Sequence, residues 1–393
     1  MGEADIVKST AERILTTHAG SLPRPPALKA LWGDLFRGRA VDRGALSAHA
    51  EAATRDAVAR QIETGIDIIN NGEQARESFF TYVQHRLSGF GDKTVRAPMG
   101  DMARYPGYLE RMAHASHQKG AVNLARAPAA IGAVHYVDSE PARTECESFR
   151  KLLAQHQGAY VDAFITAASP GIIAAAMENR HYADRDAYLE ALGQALQHEY
   201  ELIVDAGFIL QIDAPDLAME RHCAFCHEPL EAFLGFAADV VETINRATAQ
   251  LPRDRIRLHV CWGNYEGPHD LDVALEEIWH VIANINAGAV LLSMANPRHA
   301  HEYRAFNALK LPSAMQIIAG VIDTTTNYIE HPEVVADRLE RLATAVGDPH
   351  RILASPDCGF ETAAGFQSVA DDIVWRKLDS LCAGAQLASS RLF

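Results

Sequence analysis

The chain is short of positive charge and of long apolar runs. Its 393 residues include 36 lysines and arginines against 51 aspartates and glutamates, a formal net charge of −15. Nucleic acids and anionic membranes require a basic surface, so neither is expected as a partner. No apolar run approaches the roughly 18 residues that a membrane-spanning helix needs. The first twenty residues mix acidic and basic side chains without an apolar stretch, so we expect no signal peptide and a cytoplasmic protein.

The signatures of several common enzyme classes are also missing. The sequence contains neither a G-x-G-x-x-G nucleotide fingerprint after a strand nor a G-x-x-x-x-G-K-[ST] phosphate loop. The G-x-S-x-G pattern of serine hydrolases is absent as well. Cysteine is sparse, with six irregularly spaced residues. This usage indicates reduced thiols that are buried, metal-bound or catalytic rather than bridged.

The sequence does contain a regular alternation of short apolar runs and amphipathic helices. The helical pattern is clearest over residues 187–204 and recurs at about residues 332–345. Alternating strands and helices predict parallel βα units, and eight such runs predict a single-domain (β/α)8 TIM barrel over residues 1–393. An extra strand or hairpin is expected near residues 127–137. The eight predicted strands are residues 13–21, 66–73, 171–177, 208–213, 256–261, 289–294, 315–323 and 351–355.

Soft metal ligands stand at the ends of two predicted strands. His259 and Cys261 form an H-x-C at one strand end, so both side chains point to the same face. Cys358 follows another strand and could reach the same site across a barrel. One imidazole and two thiolates suit Zn²⁺, and a catalytic zinc keeps one position for substrate. The alternative, from spacing alone, is two buried thiols and a hydrogen-bonded core histidine.

A second group of ligand-type residues contains His222, Cys223, Cys226 and His227. C-x-x-C is a known metal and redox spacing. A second ligand pair at zinc-finger distance is missing from the sequence. A pair of thiols without a metal is therefore the favoured interpretation here.

Two carboxylates follow strands at the end where a barrel carries its active site. Glu73 follows the second predicted strand, and Asp213 ends the fourth. Converging carboxylates can hold a substrate ammonium group or act as acid and base. The alternatives are a carboxylate that faces a helix N-terminus for Glu73 and a helix cap for Asp213.

Six short motifs, in the same order, resemble the catalytic half of cobalamin-independent methionine synthase. The short, single-domain members of that superfamily, which also contains epoxyalkane:coenzyme M transferase, are more similar still. The resemblance covers about residues 13–380. The motifs are TTHAGSLPR at 16–24, NGEQAR at 71–76, QIDAP at 211–215, HVC at 259–261, NPRH at 296–299 and PDCG at 356–359.

This resemblance implies a TIM barrel that transfers an alkyl group, most simply methyl, to a thiol such as homocysteine. It implies that His259, Cys261 and Cys358 bind Zn²⁺, which lowers the pKa of the acceptor thiol. Glu73 and Asp213 match positions that hold the amino-acid acceptor in that family. The expected partners are a small-molecule thiol and an alkyl donor, and a barrel of this size is compatible with a homodimer.

The resemblance also yields three further site residues and three departures. Asp323 and His18 are predicted as catalytic residues, and Asn264 as a substrate contact. Ser293 stands where the family supplies a glutamate ligand, and Thr325 replaces a histidine that assists proton delivery to the folate leaving group. As the third departure, we expect no counterpart of the half of the long enzymes that helps bind polyglutamyl folate. Two alternatives stay open: thiol chemistry on another electrophile, by epoxide opening or demethylation, and a zinc-binding barrel without turnover.

Overall fold

A computed structural model describes residues 12–97, 99–115 and 121–393. Residues 1–11, on which much of the signal-peptide expectation depends, lie outside this range. Within it, no helix is both long and apolar enough to cross a bilayer. The helices are α1 Pro26–Phe36, α2 Arg43–Thr64, α3 Gly100–Ala103, α4 Pro106–Ala115, α5 Glu140–Leu153, α6 Pro170–Ala176, α7 Arg185–Asp205, α8 Leu230–Ala247, α9 Leu275–Ile282, α10 Pro332–Val346 and α11 Asp371–Leu392. The strands are β1 Ile68–Ile69, β2 Phe90–Gly91, β3 Ala129–Ala130, β4 Asp162–Ala168, β5 Ile209–Asp213, β6 Ile256–Val260, β7 Ala289–Ser293, β8 Gln316–Ile322 and β9 Ile352–Pro356.

A ring of parallel strands forms the centre of the molecule. Seven strands pair in the order β1-β4-β5-β6-β7-β8-β9, and every pair is parallel. The backbone around Thr16 joins the two ends of this sheet. Thr17 N donates to Ala354 O of β9 at 2.8 Å, and Ile68 N of β1 donates to Thr16 O at 3.0 Å. The predicted TIM-barrel class is thus confirmed, with the first predicted strand reduced to a short bridge.

Buried side chains fill the barrel and leave its rim for chemistry. Every residue of β5, β6, β7 and β9 is buried, as expected for parallel strands covered by helices outside and packed inside. Phe164, Leu291 and Leu353 belong to one buried apolar cluster. The guanidinium of Arg257 lies 3.6 Å from the ring centre of Phe164 and donates to Gln211 Oε1 at 2.8 Å. The open space for substrates is therefore at the carboxyl ends of the strands.

The strand predicted at residues 171–177 is wrong. These residues lie mostly in helix α6, and the strand is β4, immediately before it. Ser169 caps the helix by accepting a hydrogen bond from Gly171 N at 2.9 Å, and Pro170 occupies the first turn. Serine followed by proline is a helix-start signal that overrides the apolar composition of this run.

The extra strand near residues 127–137 is present, but it is not a self-contained hairpin. Its ordered part is β3, which pairs antiparallel with β2, an earlier segment of the chain. Gly89 permits this approach, because a Cβ there would lie only 2.5 Å from Gly132 O.

The helices predicted at 187–204 and 332–345 are confirmed as α7 and α10. The single-domain boundary of 1–393 stays a prediction.

Candidate metal and substrate site

The structure brings His259, Cys261 and Cys358 together at the rim of the barrel. His259 lies in β6, Cys261 directly follows it, and Cys358 follows β9. One ligand atom from each residue lies within 4.8 Å of the others, and all three residues are buried. The two Sγ atoms are 4.0 Å apart. Two sulfurs bound to one tetrahedral zinc ion at about 2.3 Å would be about 3.8 Å apart, so this donor set fits the metal.

Asp213 orients the imidazole of His259. His259 Nδ1 lies 3.0 Å from Asp213 Oδ1, and Gln211 Nε2 donates to the same oxygen at 2.8 Å. Burial lowers the pKa of His259, but Asp213 and Cys261 outweigh burial and raise that pKa to about 10. Metal-binding histidines usually carry such an oxygen partner on their second ring nitrogen. The Asp213 contact would therefore leave Nε2 for a metal, and it replaces the helix-cap alternative for this residue.

The two thiols of the cluster differ in acidity because they share a hydrogen bond. The bond from Cys358 and the neighbouring His259 lower the pKa of Cys261 despite its burial. The pKa of Cys358 is raised, because this thiol donates the bond and is buried. Cys261 is thus the more readily formed thiolate, which is the form that binds a metal.

Asp357 organises the strand end where a glutamate ligand would be expected. Ser293 Oγ donates to Asp357 O at 3.0 Å, so Ser293 does lie beside the cluster. The Asp357 carboxylate accepts bonds of 2.8 Å from the backbone N–H groups of residues 294, 295 and 296. Gly320 leaves room for this carboxylate, because a Cβ there would lie 2.3 Å from Asp357 Oδ1. Sequence reasoning gave Asp357 no role, although its place beside Cys358 was a usable signal.

Glu73 is a buried carboxylate with one free oxygen. Thr166 Oγ1 donates to Oε1 at 3.0 Å, whereas Oε2 has no hydrogen-bond partner in the described structure. Burial, followed by the charge of Asp213, raises the pKa of Glu73 to about 7. Glu73 adopts φ 56° in a turn and not at a helix start, so the helix-dipole alternative does not apply. A Cβ at Gly20 would lie 2.5 Å from Oε1, so glycine allows the carboxylate to approach the backbone.

The remaining predicted site residues are engaged in hydrogen bonds. His18 Nε2 lies 2.7 Å from Gln61 Oε1, and burial lowers the pKa of His18 to about 3, which keeps it neutral. Asn264 donates to Gly359 O at 2.8 Å and accepts from Thr324 Oγ1 at 2.7 Å. These contacts support the loops around Cys358.

Asp323 is held by the residue that departs from the family pattern. Thr325 donates to Asp323 Oδ1 from both its backbone N–H, at 2.7 Å, and its hydroxyl, at 2.8 Å. The other carboxylate oxygen accepts from Thr326 Oγ1 and Tyr328 OH. Burial raises the pKa of Asp323, but these bonds outweigh it and lower the value. The catalytic roles of Asp323 and His18 stay predictions.

The group at residues 222–227 does not assemble a metal site of its own. Among the described residues, two groups have metal-ligand geometry, and neither includes Cys223, Cys226 or His227. Both cysteines are free and partly exposed. His222, in contrast, turns away toward Asp272, with its Nδ1 3.0 Å from Asp272 Oδ1.

Comparison with known proteins agrees with this geometry. Residues 14–373 match the family described as "Cobalamin-independent synthase, Catalytic domain". The chain belongs to this family. It is 24% identical over 353 residues to a methionine synthase of Sulfolobus acidocaldarius, covering 88% of this chain and 85% of that protein. It is also 24% identical to the 5-methyltetrahydropteroyltriglutamate–homocysteine methyltransferase of a Chelativorans strain, of which it spans 39%, with 88% of this chain covered.

Two solved structures share the fold of this chain. A B12-independent methionine synthase of a Shewanella species, in complex with selenomethionine, superposes with a TM-score of 0.73 at 21% identity. The match covers 97% of this chain and 99% of that one. A second solved structure, of a protein from Listeria monocytogenes, gives a TM-score of 0.62 at 18% identity, with 95% of this chain and 98% of that one covered. The family match confirms the resemblance seen in the six motifs, and the chain is a methyltransferase-like enzyme.

Proposed function

We propose that this enzyme transfers a methyl group to the thiol of homocysteine, with zinc held by His259, Cys261 and Cys358. The observation that supports this proposal most strongly is that these three residues come together at the barrel rim. There Asp213 contacts His259, and the negative charge of Asp213 contributes to the raised pKa of Glu73. A soft-metal site next to two carboxylates suits an acceptor that carries both a thiol and an ammonium group. Coenzyme M carries a sulfonate and no ammonium, so this arrangement suits it less well.

Two carboxylate oxygens are available for the acceptor. Glu73 Oε2 is buried and unpaired. Asp213 uses Oδ1 for His259 and Gln211, which leaves Oδ2 for a substrate ammonium. A buried, unpaired carboxylate oxygen is costly to leave without a partner. An ammonium that bridges Glu73 and Asp213 would satisfy both and place the amino-acid thiol toward the cysteines.

The site would activate the thiol and align it with the methyl carbon. When bound, a zinc ion supplies the Lewis acidity that lowers the pKa of the acceptor thiol to form a thiolate. His259 is held in one orientation by Asp213, and the two cysteines supply negative charge. The cluster residues are at most 7% exposed, so little bulk water competes there. Displacement at a methyl carbon is then largely a matter of alignment.

Ser293 would leave one ligand position to water or to substrate. We predict that Ser293→Glu binds zinc at least tenfold more tightly, a gain of about 1.4 kcal/mol. The reason is that a carboxylate there would reach the site from beside Asp357 O, which lies 3.3 Å from His259 Nε2. Competition with a chelator measures the affinity, and Ser293→Gln is the matched uncharged control. Equal affinities in all three proteins would mean that another residue already fills the position.

The pKa of Glu73 predicts an acid limb in the pH profile. A carboxylate with a pKa of about 7 is charged above that pH and neutral below it. An ammonium needs the charged form, so kcat/KM for homocysteine should fall about tenfold per pH unit as the pH drops below about 7. Glu73→Gln should lower kcat/KM at high pH and lose this limb. The exposed Glu63→Gln serves as control, and an unchanged limb in Glu73→Gln would assign the titration to another group.

The decisive assay supplies homocysteine with methyltetrahydrofolate in monoglutamyl and triglutamyl forms and measures methionine. Methionine formed with either donor supports the proposal. Turnover of coenzyme M with an epoxide, or demethylation of another donor, would assign related thiol chemistry instead. Zinc binding without turnover of any pair would mean that the protein is a binding protein with the same barrel fold.

The homodimer stays a prediction.

A further inference from the structure

A second cluster of ligand-type side chains lies near the first, on the loops that follow three adjacent strands. His222 follows β5, His269 and Asp272 follow β6, and His299 follows β7. The three histidines are at most 3% exposed, and the Asp272 side chain is equally buried. Ligand atoms of His269, Asp272 and His299 all lie within 4.8 Å of one another. The sequence alone suggests a different group, in which His222 belongs with its neighbouring cysteines.

All three imidazoles turn one ring nitrogen toward the same carboxylate. His269 Nδ1 and His299 Nε2 lie 2.8 and 2.7 Å from Asp272 Oδ2. His222 Nδ1 lies 3.0 Å from the other oxygen, Oδ1. Two imidazole nitrogens thus lie at one oxygen of this carboxylate, and a third nitrogen lies at the other oxygen. Imidazole and carboxylate donors together are typical of sites for divalent first-row metals.

The second nitrogen of each imidazole faces an oxygen. His269 Nε2 lies 3.0 Å from Tyr265 O, His299 Nδ1 lies 2.9 Å from Glu302 Oε2, and His222 Nε2 lies 3.4 Å from Tyr265 OH. Metal-binding histidines show this pattern, because the outer oxygen fixes the tautomer and the ring orientation. A histidine that only donates a hydrogen bond to Asp272 does not need an oxygen at its second ring nitrogen.

Two atoms in the centre of the cluster are not satisfied. His222 Nδ1 and Asp272 Oδ1 are buried and have no hydrogen-bond partner within the described residues, although they lie 3.0 Å apart. Their approach lacks the alignment of a hydrogen bond. Buried polar atoms without a partner are rare, and an unplaced ion is one common explanation. A cation bound to both atoms would satisfy them.

We propose that His269, Asp272 and His299 bind a divalent first-row transition metal such as Zn²⁺, and that His222, which lies beside Asp272, completes a closed structural site as the fourth ligand. Four protein ligands leave no position for substrate, which distinguishes this site from the cysteine site. Asp272 and Glu302 together balance the two positive charges. Ligands at about 2.1 Å from a tetrahedral ion lie about 3.4 Å apart, so the three nitrogens would move away from the Asp272 oxygens by about half an ångström. His222, which lies outside the group of three, would move closer to His269 and His299.

Such an ion would stiffen the wall of the cysteine site. Trp262, the residue after Cys261, stacks on His299 with ring centres 4.0 Å apart, and Tyr265 stacks on His269 at 4.1 Å. The metal would therefore tie three loops to the aromatic residues beside Cys261. Its removal should lower the melting temperature of the protein even when no substrate is present.

The test is metal content per chain, measured by elemental analysis after zinc loading and dialysis. We expect two zinc ions in the wild type, one in Cys358→Ser, one in His269→Gln and none in the double variant. The matched control is His301→Gln, which changes an exposed histidine in the same loop as His299 and should keep two. One ion in the wild type, lost in Cys358→Ser and kept in His269→Gln, would overturn the proposal and leave a hydrogen-bonded histidine network without a metal.

A spectroscopic measurement covers the case in which His269→Gln does not fold. Cobalt loading of the wild type should give two ions per chain, with thiolate-to-cobalt charge transfer from one of them. Cys358→Ser should lose that charge transfer and keep one cobalt ion with nitrogen and oxygen ligands. A Cys358→Ser protein that retains no cobalt would contradict the second site, whatever the methyl-transfer assay shows.

Discussion

Cys358→Ser should lose the metal of the cysteine site and methyl transfer together. Its Sγ lies 4.0 Å from that of Cys261, so removing it leaves one imidazole and one thiolate, too few soft ligands to retain zinc. We expect the zinc content to fall by one ion per chain and kcat/KM for homocysteine to fall at least about a thousandfold, which corresponds to about 4 kcal/mol of transition-state stabilisation.

The matched control is Cys382→Ser, which alters a partly buried thiol outside the cluster. This variant should keep its zinc and its activity, which separates loss of the metal ligand from general loss of a thiol. Full activity in Cys358→Ser would contradict the proposed mechanism. Loss of zinc with retained turnover would show that the metal is not required for methyl transfer.

Glu145→Ala should be the most destabilising single substitution beneath the substrate site. Glu145 accepts bonds from Arg76 Nε at 3.0 Å, Arg86 Nη2 at 2.6 Å and Asn71 Nδ2 at 2.8 Å, and it is 8% exposed. Removing the carboxylate leaves two buried arginines, with only Glu199 still paired with Arg86. Breaking a buried ion pair in this way costs about 3–5 kcal/mol of unfolding free energy.

Removal of the Glu145 carboxylate should also weaken binding of the acceptor. Arg76 donates to Thr166 O at 2.7 Å, and Thr166 in turn donates to Glu73 Oε1. We therefore expect a higher KM for homocysteine along with the lower unfolding free energy, which urea denaturation measures. Glu147→Ala, on the same helix but partly exposed, should leave both unchanged. A loss below about 1 kcal/mol in Glu145→Ala would show that the arginines find other partners.

The same network predicts acid sensitivity. Burial raises the pKa of Glu145, but the charges and bonds of Arg76 and Arg86 outweigh it and lower that pKa to about 2. A carboxyl whose pKa is lower in the folded than in the unfolded state stabilises the fold above its unfolded pKa, near 4.3. That contribution is lost as the pH falls from about 4 to about 2. Glu145→Ala should consequently show a smaller change in stability across this window than the wild type.

The fold was predictable wherever local patterns repeat. Parallel strands buried on both faces give apolar runs, and helices between them give a 3–4 spacing. The misassigned strand at 171–177 shows the limit of this reasoning. An apolar run alone does not distinguish a buried strand from a buried helix. The helix start at Ser169-Pro170 and the pairing of β4 with β5 show that residues 171–177 are helical.

His259 and Cys261 could be named as candidate metal ligands from the sequence because they stand two residues apart at a strand end. His259 and Cys261 share a face through the two-residue period of a strand, whatever the rest of the chain does. Cys358 depended on the resemblance as well, since spacing alone left buried thiols open. The partners of these residues were not predictable in the same way. Asp213 was expected to hold substrate, yet it also orients His259 across neighbouring strands.

The sequence by itself determined the barrel class, the family and the choice of His259, Cys261 and Cys358 as candidate metal ligands, because these depend on periodicity, on ordered motifs and on residue types. Only the tertiary structure decided that Asp357 secures the loop beside Ser293 and that Glu73 keeps a free oxygen. It alone also placed His222, His269 and His299 around the carboxylate of Asp272. Those residues come from different loops, and their contacts follow from how the barrel closes, which no local pattern encodes.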